Sequence, residues 1–269
     1  MLTSDYSRVN LADGRMQILL SGVPGVSSRG WLGYCTVVLF RLDGAWALFD
    51  TGHYSDRHLL LEALAQTGVE PNEIRWVVLS HLHFDHVLNL PLFRKAEVYL
   101  ARAEMEHAEK VSAGEVTDLA IPDFWQVLLE GHQLHMVDER LDLTDMLQLV
   151  RLPGHTPGCL TMFWNGSEVI AVCGDVIKNA WEAETGQAEI ALAGDSLATE
   201  SINRVQEKAT VIIPGHDRPF RRREEGLEFL TPFSWRIQAS LYPKEAGQTV
   251  LGLDFPAGLS KAGRNGQGH

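Results

Sequence analysis

Ser80-His81-Leu82-His83-Phe84-Asp85-His86 sets three imidazoles and one carboxylate within six consecutive positions. It follows Ile74-Arg75-Trp76-Val77-Val78-Leu79, an apolar stretch that predicts a buried strand. Four ionisable side chains crowded at a strand end repel one another, or stay unsatisfied, unless a cation binds among them. A divalent metal is the simplest such cation, because neutral His nitrogen and Asp oxygen both suit zinc. His81 and His83 are two apart, so in an extended or loop segment both rings can point the same way. Asp85 and His86 fall around the following bend, displaced enough to serve a second metal.

Working outward, the chain repeats this arrangement. Met146 to Val150 is an apolar run followed by Arg151-Leu152-Pro153-Gly154-His155-Thr156-Pro157-Gly158. Val169 to Cys173 ends in Gly174-Asp175, and Val211 to Ile213 ends in Pro214-Gly215-His216. Each candidate ligand stands where a predicted strand hands over to a loop, the place where a scaffold positions functional groups.

These motifs, in this order, resemble those of the metallo-β-lactamase-fold hydrolases: His-x-His-x-Asp-His, Pro-Gly-His-Thr-Pro-Gly, Gly-Asp and Pro-Gly-His. Leu48-Phe49-Asp50-Thr51-Gly52 is similar to that family's strand-end Asp. The resemblance spans residues 16–220. It implies an α/β fold, an αββα sandwich of two mixed β-sheets flanked by helices, with metals along one edge. It also implies that His81, His83 and His155 hold a first metal, that Asp85, His86 and His216 hold a second, and that Asp175 bridges them. Asp50 would orient a ligand imidazole by accepting its other ring N–H. The expected cofactor is two zinc ions per chain, with manganese, iron or cobalt as substitutes.

Length, composition and charge fit this reading. The apolar fraction is 45%, ordinary for a globular enzyme. A single domain over 1–269 is expected, with a disordered tail from about 260. No apolar run is long enough to cross a bilayer, and the N-terminus lacks the layout of a secretory signal, so the expectation is a cytoplasmic protein without membrane partners. Cys35, Cys159 and Cys173 make no disulfide framework and read as inert core residues. The net charge of −12 and a single short basic run, Arg221-Arg222-Arg223, make nucleic acid the disfavoured partner and a small molecule the favoured one. The sequence carries no signal of oligomeric state.

Strands are expected at Met16–Leu20, Cys35–Arg41, Ala45–Phe49, Ala96–Leu100, Cys159–Trp164 and Glu168–Cys173. Turns are expected at Leu42-Asp43-Gly44 and Asn165-Gly166. Helices are expected over Asp56–Thr67, capped by Ser55 and ended by Gly68, and over Arg102–Lys110, Phe124–Glu130 and Ser196–Lys208, with a last helix over Glu224–Leu230.

Two metals and a bridging Asp175 suit hydrolysis of a small-molecule ester, lactone or thioester, because a metal-bound water can have a pKa near about 7. Asp85 is the candidate for carrying the proton to the leaving group. The alternative is a metal-dependent phosphodiesterase or ribonuclease. The acyl-homoserine lactonases share His-Leu-His-Phe-Asp-His but carry a Tyr shortly after the bridging Asp. This chain has no Tyr between Asp175 and His216; Lys178 there would favour an anionic group. The small animal metallo-β-lactamase-domain proteins proposed to cut RNA are similar in Asn89-Leu90-Pro91-Leu92-Phe93 and in the Pro-Gly-His-x-x-Pro-Phe ending at Phe220. His53 is a candidate for lining the site, and Ser21 to Trp31 for a flap over an apolar part of the substrate. His58, His107, His132, His135 and His269 read as surface or satisfied residues.

Overall fold

A computed structural model describes residues 10–240 and 248–261. Two mixed sheets follow chain order closely. The first runs Asn10–Leu11, Met16–Leu20, Val37–Leu42, Ala45–Phe49, Ile74–Val78, Glu97–Ala101 and Leu134–Val137. Its pairings are antiparallel as far as Ala45–Phe49 and parallel beyond. The second runs Arg140–Asp142, Leu147–Arg151, Leu160–Asn165, Val169–Val172, Val211–Ile213, Phe220–Arg223, Gly226–Phe229 and Gly258–Lys261. In it, Val169–Val172 pairs in parallel with Val211–Ile213.

The period of two in these strands makes the layers. Val38, Phe40, Ala47, Phe49, Trp76 and Val78 meet Met162, Trp164, Ile170, Val172, Val211 and Ile213 in a core between the sheets. The alternate residues Val37, Leu39, Leu48 and Val77 face outward, onto Leu60 and Leu64 of the helix Arg57–Thr67. On the other side Phe163, Ala171 and Ile212 pack with Ile202 and Val205 of the helix Asp195–Lys208. Strands buried on both faces read as near-continuous apolar runs. The result is the expected αββα sandwich.

The tight turn expected at Asp43-Gly44 is present, with both residues at positive φ (48° and 78°). Gly68 ends its helix in the left-handed conformation at φ 72°, as expected. Three expectations need correction. A 3-10 turn, Tyr54–Asp56, precedes the helix Arg57–Thr67, so Ser55 does not cap it; the Ser55 N–H donates to His53 Nδ1 instead. Glu224–Leu230 is no helix but the turn and second strand of a hairpin. Gly226 sits at φ 138°, Phe220 pairs with Phe229, and Arg221 and Arg223 reach Glu228 across the strands. Alternation and cross-strand charge outweigh the weak helical spacing there. Ser260 of the expected tail lies in the strand Gly258–Lys261, opposite Leu227; residues 262–269, and with them His269, lie outside the described part.

Both sheets deliver their parallel strand ends to one edge. Ala45–Phe49 ends before Asp50, Ile74–Val78 before the His cluster, Val169–Val172 before Gly174-Asp175, and Val211–Ile213 before Pro214-Gly215-His216.

Candidate metal centre

At that edge the ligand atoms of His81, His83 and His155 lie within 4.8 Å of one another, as do those of Asp85, His86 and His216. His81, His86 and Asp175 make a third such group between them. All seven candidates from the sequence are therefore brought together, and all are buried.

Ser80, at the end of Ile74–Val78, organises the floor. Its N–H donates to Asp50 Oδ1 (2.7 Å) and its hydroxyl to Asp50 Oδ2 (2.8 Å). The same hydroxyl lies 2.9 Å from His81 Nδ1. His86 Nδ1 lies 2.8 Å from Asp50 Oδ2 and donates its proton there, so Nε2 is left to face the site. Asp50 occupies φ 58°, a conformation that Asp tolerates better than most residues. The hydrogen bonds from Ser80 and His86 hold its carboxylate there against that strain. Close approach of the Gly174-Asp175 and Pro214-Gly215-His216 turns needs Gly215: a Cβ there would collide with Asp175 Oδ1 and the Gly174 backbone.

Asp175 stands between the two groups. Its Oδ2 is 3.3 Å from His155 Nε2; its Oδ1 is 3.3 Å from His86 Nε2 and 3.2 Å from His216 Nε2. Asp85 Oδ2 is 3.3 Å from His216 Nε2. A tetrahedron of ligands about 2.0–2.1 Å from zinc has edges of about 3.3 Å, so these spacings fit a shared ion. Among the described residues, the buried side-chain polar atoms without a hydrogen-bond partner are His81 Nε2, His86 Nε2 and Asp175 Oδ1. Orphaned buried polar atoms are costly, and all three point into the same space. The donor set fits divalent metal.

Burial drives His155 down to about 3, with Lys178 and the neighbouring imidazoles assisting against the pull of Asp175. Burial likewise holds His81 well below its usual range. Both are neutral donors across the physiological range. Burial pushes the Asp175 carboxyl up, but His216, His86 and His155 outweigh it and hold it well below the usual carboxylate range. Burial likewise pushes the Asp85 carboxyl up, and His86 and His216 outweigh it and lower it.

Above the cluster opens a cleft of about 560 Å³. Its apolar wall includes Val23, Val26, Trp31, Phe84, Leu119 and Leu192. Val23, Val26 and Trp31 belong to the expected flap, which is built around the hairpin Val26–Ser27 with Gly30–Trp31. Among the described residues, Lys178 is the one Lys or Arg of the lining; it is buried, with Nζ 3.7 Å from Glu189 Oε2 and 5.9 Å from the Trp31 ring centre. His53 is outside the lining, packed edge-on between Tyr34 and Phe84.

Sequence reasoning missed Asp118 and Glu104. Asp118 Oδ2 lies 3.0 Å from His83 Nε2 and 2.9 Å from His107 Nε2. Glu104 is fully buried and accepts from Leu82 N–H, Thr156 Oγ1–H and Gly158 N–H, tying the two ligand loops together. Both residues lie outside any strand-end motif, so no local spacing marks them. The bland readings fared better. The three cysteines are buried, and burial pushes the Cys35 thiol up to about 12. His132 bonds Ala96 O and His135 bonds Glu97.

A family model for the metallo-beta-lactamase superfamily matches residues 30–216, more than half of the chain. The chain belongs to the metallo-beta-lactamase superfamily. Mouse metallo-beta-lactamase domain-containing protein 1 is 32% identical over 78% of this chain and 76% of its own length. An N-acyl homoserine lactonase from Bacillus sp is 27% identical over 59% of this chain and 62% of its own. Among solved structures, a metallo-beta-lactamase-like protein from Thermotoga maritima superposes with a TM-score of 0.62 at 20% identity, over 77% of this chain and 99% of that one, a likeness of fold. Metallo-beta-lactamase superfamily members such as the lactonases are metal-dependent hydrolases, and so is this chain. Among the described residues no helix is long and apolar enough to cross a membrane.

Proposed function

We propose that the chain is a dinuclear zinc hydrolase of small-molecule esters, lactones or thioesters that join an apolar part to an anionic group. The observation that carries this reading is the cleft: apolar walls, one buried lysine, and the His/Asp cluster at its floor. A polyanion would call for a basic face, and among the described residues the lining offers only Lys178.

In this reading His81, His83 and His155 hold the first zinc, Asp85, His86 and His216 the second, and Asp175 both. When bound, the two ions supply an activated water and a Lewis acid for the substrate's carbonyl oxygen. The chain's own groups do the rest. Asp50 and Ser80 fix the rings of His86 and His81. Lys178 binds the anionic end and the apolar wall holds the tail while excluding water. Asp85 is ionised and faces the cleft, so it takes the proton and passes it to the leaving group.

The test is a panel of lactones, esters and thioesters, run beside single-stranded RNA on the same purified protein. Turnover of the small molecules, abolished by chelator and only weakly dependent on salt, is expected. RNA cleavage that is lost in His83→Ala, without ester or lactone turnover, would favour the phosphodiesterase reading instead, and a steep salt dependence would accompany it.

A further inference from the structure

We propose that Asp118, backed by His107, is the positioning pair for His83. The inference rests on the reading of His83 as a metal ligand and adds what holds that ligand in place. His83 differs from the other imidazoles of the cluster in the nitrogen it presents. Its Nε2 is turned away, 3.0 Å from Asp118 Oδ2, while its Nδ1 lies 3.0 Å from His155 Nε2, where a first metal would sit. Asp118 Oδ2 has two ring nitrogens within hydrogen-bond distance, those of His83 and His107. It therefore accepts from His83 Nε2–H, and that bond selects the tautomer with a free Nδ1 lone pair.

The carboxylate is itself fixed on every side. His107 Nε2–H donates to the same oxygen from the helix Arg102–Ser112, at 2.9 Å. Asp118 Oδ1 accepts from Ala120 N–H at 3.1 Å. Ala120 O in turn accepts Phe84 N–H at 2.8 Å, which joins the loop to the turn bearing Asp85 and His86. The side chain of Asp118 is 3% exposed, so this is a built contact and not a surface ion pair. Asp50 serves His86 in the second group, and Asp118 serves His83 in the first. Each group then has one carboxylate-oriented histidine. The loop also lines the cleft through Thr117, Leu119 and Ala120, so the residue that orients His83 lies on a wall the substrate touches.

Zinc affinity of metal-stripped protein, measured by competition with a chromophoric chelator, tests this without turnover. Asp118→Asn should weaken the first zinc by about 10- to 100-fold and alter the absorption spectrum of the cobalt-substituted protein. His107→Ala should weaken it less. His107→Gln keeps an N–H donor for Asp118 and should restore affinity, which a merely structural role for His107 would not require. Wild-type zinc affinity in folded Asp118→Asn overturns the proposal; if that variant does not fold, wild-type affinity in His107→Ala does so. His83→Ala separates the two readings. Weakened zinc in His83→Ala beside unchanged zinc in Asp118→Asn defeats the positioning pair alone, whereas unchanged zinc in His83→Ala defeats the ligand assignment beneath it.

Discussion

Asp175 contacts both halves of the cluster, one oxygen toward His155 and the other toward His86 and His216. In the proposed two-metal reading, removing it would leave two cations facing each other with no charge between them. Asp175→Ala is expected to lower metal content and to cut hydrolysis on the order of 100-fold or more, since even outer partners of metal ligands are worth about 10- to 100-fold. Normal turnover with full metal content in that variant would remove the bridging role. Lys178 makes a different kind of prediction. Lys178→Met should raise KM about tenfold, equivalent to roughly 1.4 kcal/mol, for anionic esters while leaving neutral esters of the same length alone. An equal change for both would mean that Lys178 shapes the cleft without reading charge.

The short helix Ala180–Thr185 shows how a buried acid can hold a cleft wall. Glu182 accepts the N–H of Lys178 at 2.6 Å and that of Glu189 at 2.8 Å, both from residues of the lining. Burial nevertheless pushes its carboxyl up to about 7. An acid whose folded pKa is raised binds more protons folded than unfolded between its ordinary value, about 4.3, and about 7. Its contribution is therefore present at the acidic end and lost as pH rises through that window. Glu182→Gln should flatten the fall in thermal midpoint between pH 5 and pH 7 relative to wild type; parallel curves would contradict this. At this level the strands and their ligand-bearing ends were readable, because buried strands are continuous apolar runs and each ends in a Gly, Pro, Asp or His signal. Glu104 and Asp118 were not, because Leu82, Thr156 and Gly158 around Glu104 and His83 beside Asp118 come from distant chain segments; Glu182 meets near neighbours, Lys178 and Glu189, but no motif marks it. The misread hairpin after Phe220 has a local origin: its register depends on Glu228 meeting Arg221 and Arg223 across the ladder, where weak helical spacing gives way to cross-strand pairing.

The whole molecule is two sheets whose ligand-bearing ends meet at one edge. His81, His83, Asp85 and His86 follow the first sheet's strand Ile74–Val78, whereas His155, Asp175 and His216 follow strands of the second. A metal held by residues from both would tie the layers together. Bound ions stabilise the folded chain by mass action, and here they would also relieve the orphaned atoms of His81, His86 and Asp175. Stripping with chelator should lower the thermal midpoint, and zinc should restore it; an unchanged midpoint would mean that the cluster is preformed and bears no metal. Farther out, Arg218 bonds the carbonyls of Thr231, Phe255 and Pro256 and lies 3.8 Å over the Phe229 ring, fastening the C-terminal segment beside His216.

The most direct measurement is elemental analysis of protein purified without chelator. Two transition-metal ions per chain, chiefly zinc, are expected, falling in both His83→Ala and His216→Ala. A reproducible content near one ion per chain, unchanged by His216→Ala, would contradict the two-metal hydrolase.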